Sequence, residues 1–257
     1  SDRVSNRRCS KLGLKTKIIA HRGASKDAPE NSISAVKEAI KQKADGIEID
    51  VRLTADNRIV CHHDKDTSRT TGQPKLISET TLQDLKSLEC GSWLGKQWSN
   101  ERIPELWEVI ELLPIHMELF IEVKTRKEIV EQLLEEIQKA KNPVRITVIS
   151  FYPEVIETIK ENSKDIKCNL LVAFEYKDIS TNEIIKQVKT IEADGVGAQN
   201  HHKVSHEMIQ GLQEEGISAH VWTVDRGSEG EEYLKKGVDS ITTNRPLYLR
   251  NYLEKLK

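Results

Sequence analysis

The segment Gly46-Ile47-Glu48-Ile49-Asp50-Val51-Arg52 alternates apolar and charged residues, which is the pattern of a β-strand with two unlike faces. Side chains along a strand point alternately to opposite sides, so the apolar positions share one face while Glu48, Asp50 and Arg52 share the other. An edge strand with a solvated acidic face would also show this alternation. We expect a central strand, with its apolar face packed under helices and its charged face pointing inward.

From Lys17 onward, short apolar segments alternate with amphipathic segments of helical length. The strands are predicted at Lys17–Ala20, Gly46–Val51, Glu118–Lys124, Ile146–Ser150, Asn169–Ala173, Gly195–Ala198, Ile217–Thr223 and Ser240–Thr242, and the helices around Ser32–Lys43, Lys127–Ala140, Pro153–Glu161, Asn182–Ile191, Ser205–Glu215, Gly230–Lys236 and Pro246–Leu256. Strands separated by helices form right-handed βαβ units in a parallel sheet. Eight units in about 240 residues predict an α/β fold, the TIM (β/α)8 barrel. A doubly wound open sheet is the alternative, but no GxGxxG motif follows the first strand.

The chain is expected to contain one domain preceded by a short arm. Residues 1–16 are polar and lack periodicity, which predicts a loose N-terminal arm, and residues 17–257 are predicted to form a single barrel domain. Residues from about 52 to 117 are too many for a simple crossover, so they are predicted to be an insertion, with an extra strand at Ile59–His62 and helices near Leu82–Leu88 and Pro104–Leu112. We expect this insertion over or beside the carboxyl-terminal mouth of the barrel, where substrate-contacting loops usually lie.

The composition is that of a folded globular protein: 257 residues, 31% of them charged, with a net charge of −2. A general nucleic-acid-binding protein would carry a basic field, so no nucleic-acid partner is expected. The apolar segments are far shorter than the roughly 18–20 residues that cross a bilayer, so no membrane span is expected. The sequence lacks GxSxG, GxxxxGK[ST], HExxH and CxxC motifs, which disfavours serine hydrolysis of the α/β type, nucleotide-dependent transfer, zinc proteolysis and thiol redox chemistry.

The four cysteines, Cys9, Cys61, Cys90 and Cys168, show no zinc-like or redox spacing. Unpaired thiols are typical of a reducing compartment, which favours the cytoplasm. A periplasmic or secreted location stays open, since the chain begins at Ser1 and a signal peptide could have been removed. The sequence determines neither the compartment nor the oligomeric state.

Carboxylates on two predicted strands are expected to point inward. The segment Leu119–Lys124 repeats the alternation of the first one, so that Glu122 and Lys124 share its charged face. Three carboxylates close together, Glu48, Asp50 and Glu122, repel one another and lose hydration, which is costly unless a cation offsets their charge. Such an oxygen-rich set suits Mg²⁺ or Ca²⁺, and zinc is less suitable because no His or Cys shares the spacing.

Two histidines and two cations are predicted beside these carboxylates. His21 and Arg22 end the first strand, where barrel enzymes place catalytic groups, and His63 follows the extra strand, with Asp64 able to orient its imidazole. Two histidines suit acid–base chemistry near neutral pH. Arg22, Lys124 and a divalent ion suit a phosphoryl group, whose oxygens need positive charge around them.

Two other histidines are expected to lie outside this group. By strand alternation His62 points away from His63, into packing or solvent. His220 shares a strand face with Trp222. Trp222 is either a core residue or a wall for an organic part of a substrate.

A set of ordered motifs closely resembles the glycerophosphodiester phosphodiesterase family, in its bacterial type. The motifs are Ile18-Ile19-Ala20-His21-Arg22-Gly23-Ala24, Pro29-Glu30-Asn31-Ser32, Gly46-Ile47-Glu48-Ile49-Asp50-Val51, His63-Asp64 with Arg69-Thr70-Thr71-Gly72, Cys90-Gly91-Ser92-Trp93, Arg102-Ile103-Pro104-Glu105-Leu106, Ile121-Glu122-Val123-Lys124, Ser150-Phe151, Val221-Trp222-Thr223-Val224 and Gly237–Pro246. They cover roughly residues 17–247, and so many blocks in order make the resemblance specific.

The resemblance implies a TIM barrel with a family-specific insertion after the second strand, and hydrolysis of glycerophosphodiesters to glycerol 3-phosphate and an alcohol. The implied metal ligands are Glu48, Asp50 and Glu122, and the implied acid–base pair is His21 and His63. The other implied site residues are Arg22 and Lys124 as phosphate contacts, Glu30 and Asn31 in or next to the site, and Phe151 and Trp222 as pocket-lining aromatics. The expected cofactor is Mg²⁺ or Ca²⁺, and the expected partner is a small glycerophosphodiester.

Two positions depart from the family's usual pattern. Asp225 stands where Asn usually follows Trp-Thr-Val, which could alter a contact at the rim of the site. His62-His63 replaces a more usual pair of an apolar residue and His, which makes the register of the catalytic histidine less definite.

Two alternatives to this function stay open. The first is a lysophospholipase D-like enzyme acting on lysolipids, which would use an apolar rim such as Leu85, Leu88, Trp93, Leu94 and Trp98. The second is a non-catalytic barrel that binds phosphodiesters, which would be expected to have lost a metal carboxylate or a histidine. The sequence does not select the head group, the ion, the histidine that acts as acid, or the attacking group, which is water or the vicinal hydroxyl of the glycerol.

Overall fold

The computed structural model of the protein describes residues 14–256, which form nine β-strands and ten α-helices. The strands are β1 (Lys17–His21), β2 (Gly46–Leu53), β3 (Ile59–Cys61), β4 (Glu118–Val123), β5 (Arg145–Ser150), β6 (Lys167–Val172), β7 (Gly195–Gln199), β8 (Ser218–Trp222) and β9 (Ser240–Thr243). The α-helices are α1 (Ile33–Lys41), α2 (Ser68–Thr71), α3 (Leu82–Lys86), α4 (Leu106–Leu112), α5 (Val130–Lys139), α6 (Pro153–Asn162), α7 (Thr181–Thr190), α8 (His206–Glu214), α9 (Gly227–Lys236) and α10 (Pro246–Glu254). Short 3₁₀ turns lie at Ile77–Glu79, Lys96–Trp98 and Lys127–Ile129, and the last of them forms the start of the predicted helix Lys127–Ala140.

Eight strands form a closed parallel barrel. Their order is β1-β9-β8-β7-β6-β5-β4-β2, and β1 also pairs with β2, which closes the ring. The remaining strand, β3, runs antiparallel to the end of β2. The prediction of a TIM barrel is confirmed, and the alternative of an open doubly wound sheet is wrong because the parallel strands leave no open edge. β2 pairs with both β1 and β4, so it is a central strand.

The apolar core has two parts. The larger part lies between the outer face of the barrel and the helices, and it contains the fully buried apolar residues of β2. A smaller cluster of Ile19, Phe120, Ile149 and Leu171 fills the interior of the barrel, with Trp222 packed against it. Because the interior is filled with apolar side chains, the polar residues that face inward near the carboxyl ends of the strands share one cavity above it.

The residues between β2 and β4 form a layer with its own apolar cluster, made of Val60, Ile77, Leu85, Leu88, Cys90 and Ile103. The predicted extra strand and the helix near Leu82–Leu88 are present as β3 and α3. Helix α4 begins at Leu106, because Glu105 is its N-cap and forms a capping box with Glu108. Helix α2 was not predicted, and it ends at Gly72 in the left-handed conformation.

Of the predicted loose arm, residues 1–13 lie outside the described residues, as does Cys9. Thr16 is buried, and its hydroxyl donates to the carbonyl oxygen of Val238 at 2.7 Å. Cys61, Cys90 and Cys168 are buried free thiols. Within residues 14–256, no helix combines the length and the apolar character that crossing a membrane requires.

The loop between β1 and α1 depends on Gly23. This residue has a φ of +78°, and its amide donates to the carbonyl oxygen of Ala20 at 3.2 Å. A Cβ atom at position 23 would lie 2.6 Å from the carbonyl carbon of Ala35 in α1. Glycine is therefore required here both by the backbone conformation and by the close approach of the helix.

Gly23→Ala is expected to lower the free energy of unfolding by about 2–4 kcal/mol, because it combines a left-handed backbone with a clash against main-chain atoms. Gly72→Ala is the matched control, since Gly72 has a φ of +75° and nothing within 4 Å of its added Cβ. This control is expected to lose only about 1 kcal/mol. Urea unfolding of both variants measures the difference, and equal losses would show that the contact with Ala35 is unimportant.

Candidate active site

Three carboxylates meet near the carboxyl-terminal end of the barrel, on the neighbouring strands β2 and β4. Glu48 and Asp50 are buried on β2, and the strand register places Glu122 beside Asp50. Oxygen atoms contributed by the three side chains all lie within 4.8 Å of one another. The structure thus brings together the three predicted metal ligands, which we call the carboxylate cluster.

The carboxylate cluster cannot be fully ionised without compensation. Burial, together with the charges of Asp50 and Glu122, holds the pKa of Glu48 well above its usual value. Burial and the charge of Asp50 raise the pKa of Glu122 to about 7. Oε1 of Glu48 is buried and has no hydrogen-bond partner within the described part of the chain. Three crowded carboxylates and an oxygen without a donor fit a divalent cation bound by oxygen ligands.

Arg22 and Lys124 bring positive charge to the carboxylate cluster. Nε of Arg22 lies 3.2 Å from Oδ2 of Asp50, and Nζ of Lys124 donates to Oε2 of Glu122 at 2.8 Å. Burial opposes the ionisation of Asp50. The charge of Arg22, together with other contacts, has the larger effect, so the pKa of Asp50 lies below its usual value. Both predicted phosphate contacts therefore border the cluster.

Asn31 and Glu30 hold these groups in place. Nδ2 of Asn31 donates to Oδ2 of Asp50, and Oδ1 of Asn31 accepts from the backbone amide of Asp50, both at 3.0 Å. Glu30 accepts from Arg22 at 2.9 Å and from two nitrogens of Arg69 at 2.7 and 2.8 Å. Asn31 therefore fixes a cluster carboxylate, and Glu30 fixes the neighbouring guanidinium.

An ion-pair network orients His63. Its Nδ1 lies 2.7 Å from Oδ1 of Asp64, and Nε of Arg69 donates to Oδ2 of the same carboxylate at 2.9 Å. Because an ionised carboxylate only accepts hydrogen bonds, Nδ1 of His63 carries the proton. Burial lowers the pKa of His63. His62 is buried, with its Nε2 2.8 Å from the carbonyl oxygen of Asp66, so of the two expected environments, packing or solvent, it lies in packing.

A neutral amide orients His21. Nδ1 of His21 lies 2.7 Å from Oδ1 of Asn244, whose Nδ2 donates to Oδ2 of Asp225 at 2.7 Å. Since Asp225 engages the NH₂ group of Asn244, the amide oxygen faces His21 and Nδ1 of His21 carries the proton. Nε2 then lies 3.7 Å from Oε2 of Glu48. Burial lowers the pKa of His21 as well.

Sequence reasoning gave no role to Asn244 or Arg69, although both lie in motifs that carry the family resemblance. Asn244 directly follows β9, at the end of the barrel where the site lies. This position in the sequence could have marked Asn244 as a site residue. Arg69 lies on α2, which had no helical pattern of its own. Asp225, which departs from the usual pattern, contacts Asn244 and so supports His21.

Phe151 and Trp222 line a pocket of about 560 Å³, with their rings edge to face and 5.8 Å between centroids. We call it the aromatic pocket. His220, two residues before Trp222 on β8, is partly buried and forms hydrogen bonds with Ser218 and Ser240. Burial lowers the pKa of His220 to about 4. His220 is therefore a structural residue of the barrel interior, and Trp222 both packs on the interior cluster and borders the pocket.

The sequence pattern of the glycerophosphoryl diester phosphodiesterase family matches residues 21–248. The chain belongs to this family. The resemblance seen in the sequence motifs is thereby confirmed.

Members of the glycerophosphoryl diester phosphodiesterase family in several organisms are similar to this chain over nearly its whole length. A glycerophosphodiester phosphodiesterase of Caldanaerobacter subterraneus subsp. tengcongensis is 33% identical over 247 residues, which are 94% of this chain and 99% of the relative. One of Bacillus subtilis is 28% identical over 246 residues, with 89% and 83% covered. A phosphodiesterase of Oleispira antarctica, solved in complex with the product sn-glycerol-3-phosphate, matches with a TM-score of 0.86 and 25% identity over 93% of this chain and 96% of that chain.

Glu122→Gln is expected to stabilise this family member when divalent ions are removed with EDTA. The pKa of Glu122 is about 7 in the folded protein and about 4.3 in an unfolded chain, so between these values the folded state binds more protons and stability falls as pH rises. The variant avoids this loss. Above pH 7 its free energy of unfolding should exceed that of the unsubstituted protein by up to about 3 kcal/mol, and the difference should vanish below about pH 4.

Glu136→Gln is the matched control for this measurement. Burial raises the pKa of Glu136 to about 7 as well, but Glu136 lies on the outer helix α5. Adding Mg²⁺ or Ca²⁺ should raise the Tm of the unsubstituted protein and of Glu136→Gln, and should raise that of Glu122→Gln much less. Equal gains in all three proteins would contradict a role for Glu122 as a metal ligand.

Proposed function

We propose that this protein hydrolyses glycerophosphodiesters to glycerol 3-phosphate and an alcohol, with a divalent cation, Mg²⁺ or Ca²⁺, as cofactor. The observation that carries the proposal is the meeting of three carboxylates, two oriented histidines and two cations in one mouth of the barrel. Family membership supports the reaction. The complex of the Oleispira antarctica relative with sn-glycerol-3-phosphate supports the identity of the product.

Glu48, Asp50 and Glu122 would hold the cation, which when bound supplies positive charge next to the phosphoryl oxygens. Arg22 and Lys124 would bind the same phosphate, because each already borders a cluster carboxylate. The ammonium group of Lys124 has three N–H donors, of which Glu122 uses one. Positive charge held around the phosphate offsets the negative charge that develops as the attacking oxygen approaches.

His21 and His63 would transfer the protons. With Nδ1 protonated in both rings, Nε2 is the atom that each ring presents to a substrate. Neither Nε2 atom forms a hydrogen bond with the residues that the structure describes. One imidazole would take the proton of the attacking hydroxyl, and the other would give a proton to the oxygen of the leaving alcohol.

The attacking hydroxyl belongs either to water or to the substrate. In the second route the vicinal hydroxyl of the glycerol displaces the alcohol and forms a cyclic phosphate, which water then opens. A ³¹P NMR time course separates the two routes, because only the second produces a cyclic glycerophosphate that rises and decays during turnover.

Hydrolysis of lysolipids, as in a lysophospholipase D-like enzyme, is a second candidate with one observation in its favour. Trp93 and Leu94 are 43% and 37% exposed, and Trp93 lies near Arg69, whose guanidinium is 5.9 Å from the ring centroid. The prediction that Leu85 and Leu88 belong to an apolar rim is wrong, because both are buried in the apolar cluster of the insertion. The exposed apolar rim is therefore small.

A barrel that only binds phosphodiesters is disfavoured, since the cluster and both histidines are present together.

The test of the proposed function is release of glycerol 3-phosphate from glycerophosphocholine and glycerophosphoethanolamine, with EDTA, Mg²⁺ and Ca²⁺ in parallel. Lysophosphatidylcholine serves as the competing substrate. Release from the soluble diesters that EDTA abolishes and one of the ions restores is the expected result. Faster turnover of the lysolipid would favour the second candidate, and no turnover of any of them by folded protein would contradict both.

His21→Ala and His63→Ala are each expected to lower kcat by about 10²–10⁴-fold, because each variant removes one of the two proton-transfer groups. His116→Ala, which removes an exposed histidine outside the site, is the matched control and should retain kcat. Steady-state turnover of glycerophosphocholine measures the effect. Near-normal kcat in either site variant would contradict its role.

Asp225→Ala is expected to lower kcat about 10- to 100-fold while KM changes less than about threefold, because it frees the amide of Asn244 and so loosens the ring of His21. The exchanged pair Asp225→Asn with Asn244→Asp keeps a bond between a carboxylate and an amide, and it should recover part of the lost kcat. Recovery of this kind is not expected if Asp225 acts only on stability.

Asp239→Ala is the control for the Asp225 variant. Oδ2 of Asp239 accepts from the backbone amide of Ala219 at 2.7 Å and so ties β8 to β9 at the opposite end of the barrel. This variant should lower Tm and leave kcat near that of the unsubstituted protein. A loss of kcat equal to that of Asp225→Ala would show that the Asp225 effect is general destabilisation.

A further inference from the structure

A pocket of about 360 Å³ opens beside Lys124, between the end of β2, the insertion and the loop after β4. Four cationic side chains line it, Arg52, Lys65, Lys124 and Arg126, and Glu128 is the one carboxylate in the lining that the structure describes. We call it the basic pocket. A surface concavity with this excess of positive charge favours an anionic ligand.

The basic pocket adjoins the carboxylate cluster through Lys124, which lines the pocket and donates to Glu122. Val51 pairs with Val123 across β2 and β4, so Arg52 and Lys124 are the next residues on these adjacent strands, toward the mouth of the barrel. Nε of Arg52 donates to the carbonyl oxygen of His63 at 2.8 Å. Lys124 therefore borders both the cluster and the pocket, and Arg52 connects the pocket to the loop that carries His63.

Much of the positive charge in the basic pocket is not neutralised. Within residues 14–256, no carboxylate oxygen lies within 4.0 Å of a side-chain nitrogen of Arg52 or Lys65. Arg52 is half-buried, so its guanidinium has lost part of its hydration, and the hydrogen bond that it donates runs to a neutral carbonyl oxygen, that of His63. An anion in the pocket would offset this loss of hydration.

The end of β5 separates the basic pocket from the aromatic pocket. Phe151 lines the aromatic pocket, and the next residue, Tyr152, lines the basic pocket. The ring of Tyr152 lies 3.9 Å from the guanidinium carbon of Arg126, and Glu154 pairs with the same guanidinium at 2.8 Å. These contacts hold Arg126 at the wall of the basic pocket.

We propose that the basic pocket binds a second anionic group, carried by the alcohol part of the substrate, so that the enzyme prefers glycerophosphodiesters whose alcohol bears a phosphate. This inference rests on the proposed function. With the diester phosphate at the carboxylate cluster, one arm of the substrate extends past Lys124 into the basic pocket. The anionic group on this arm then neutralises the charge of Arg52 and Lys65. The glycerol arm lies on the side of the aromatic pocket.

The test compares two substrates that differ by one phosphate: glycerophosphoglycerol and its terminal phosphomonoester. Loss of the diester resonance in ³¹P NMR gives kcat/KM for each. The ratio in favour of the phosphorylated substrate is expected to be about tenfold or more, since several cations face the added charge. In the double variant Lys65→Gln with Arg126→Gln this ratio is expected to fall about fivefold or more.

The matched control is Arg145→Gln with Lys167→Gln, which removes the same two charges at the opposite end of the barrel. It should keep the ratio of the unsubstituted protein. If the double variant does not fold, Lys65→Gln alone, which changes an exposed side chain, should still lower the ratio.

A ratio near one in the unsubstituted protein, or equal ratios in the double variant and the control, would overturn the inference while leaving the proposed function intact. Absence of turnover of both diesters by folded protein would overturn both proposals.

Discussion

Repulsion among three crowded carboxylates, two of them buried, is the constraint on which the mouth of this barrel depends. Glu48, Asp50 and Glu122 lie on adjacent parallel strands, so the register of the sheet prevents them from moving apart. Arg22 and Lys124 offset part of the charge, and burial together with the remaining repulsion raises the pKa values of the two glutamates. A chain without a divalent cation would hold protons there instead, so binding of a cation and release of protons are linked.

The loop after β1 brings the compensating groups to Asp50. Arg22 and Asn31 both have a φ of +58°, a left-handed conformation that residues other than glycine adopt infrequently. Both residues contact Asp50 through their side chains. Two unfavourable backbone conformations that serve one carboxylate indicate that packing of the loop against α1, rather than local preference, fixes them.

The fold and the carboxylate cluster could be predicted because their signals are local. Alternation within β2 separates a charged face from an apolar face without knowledge of the neighbouring strands. Helices between strands identify the barrel, and the barrel makes the charged face the inward one. The residues that orient the two histidines have no local signal of this kind in the sequence. Asn244 lies 223 residues from His21, and Arg69 lies 39 residues from Glu30, so both contacts exist only once the barrel has closed and the insertion has packed on it. The burial of Leu85 and Leu88 could not be predicted for the same reason, because an amphipathic segment does not reveal which apolar surface it covers.

On the proposed assignment, the separation of the two pockets would let one phosphate site serve a selective enzyme. In the proposed reaction, proton transfer and charge compensation act only on the phosphodiester group, which all glycerophosphodiesters share. Discrimination must then come from the arms of the diester, through contacts away from the reacting atoms. Consecutive residues at the end of β5, Phe151 and Tyr152, border pockets of opposite character, one mostly apolar and one cationic. Exchanging side chains around the basic pocket would change which alcohol is preferred, while the cluster and the histidines beneath remain as they are.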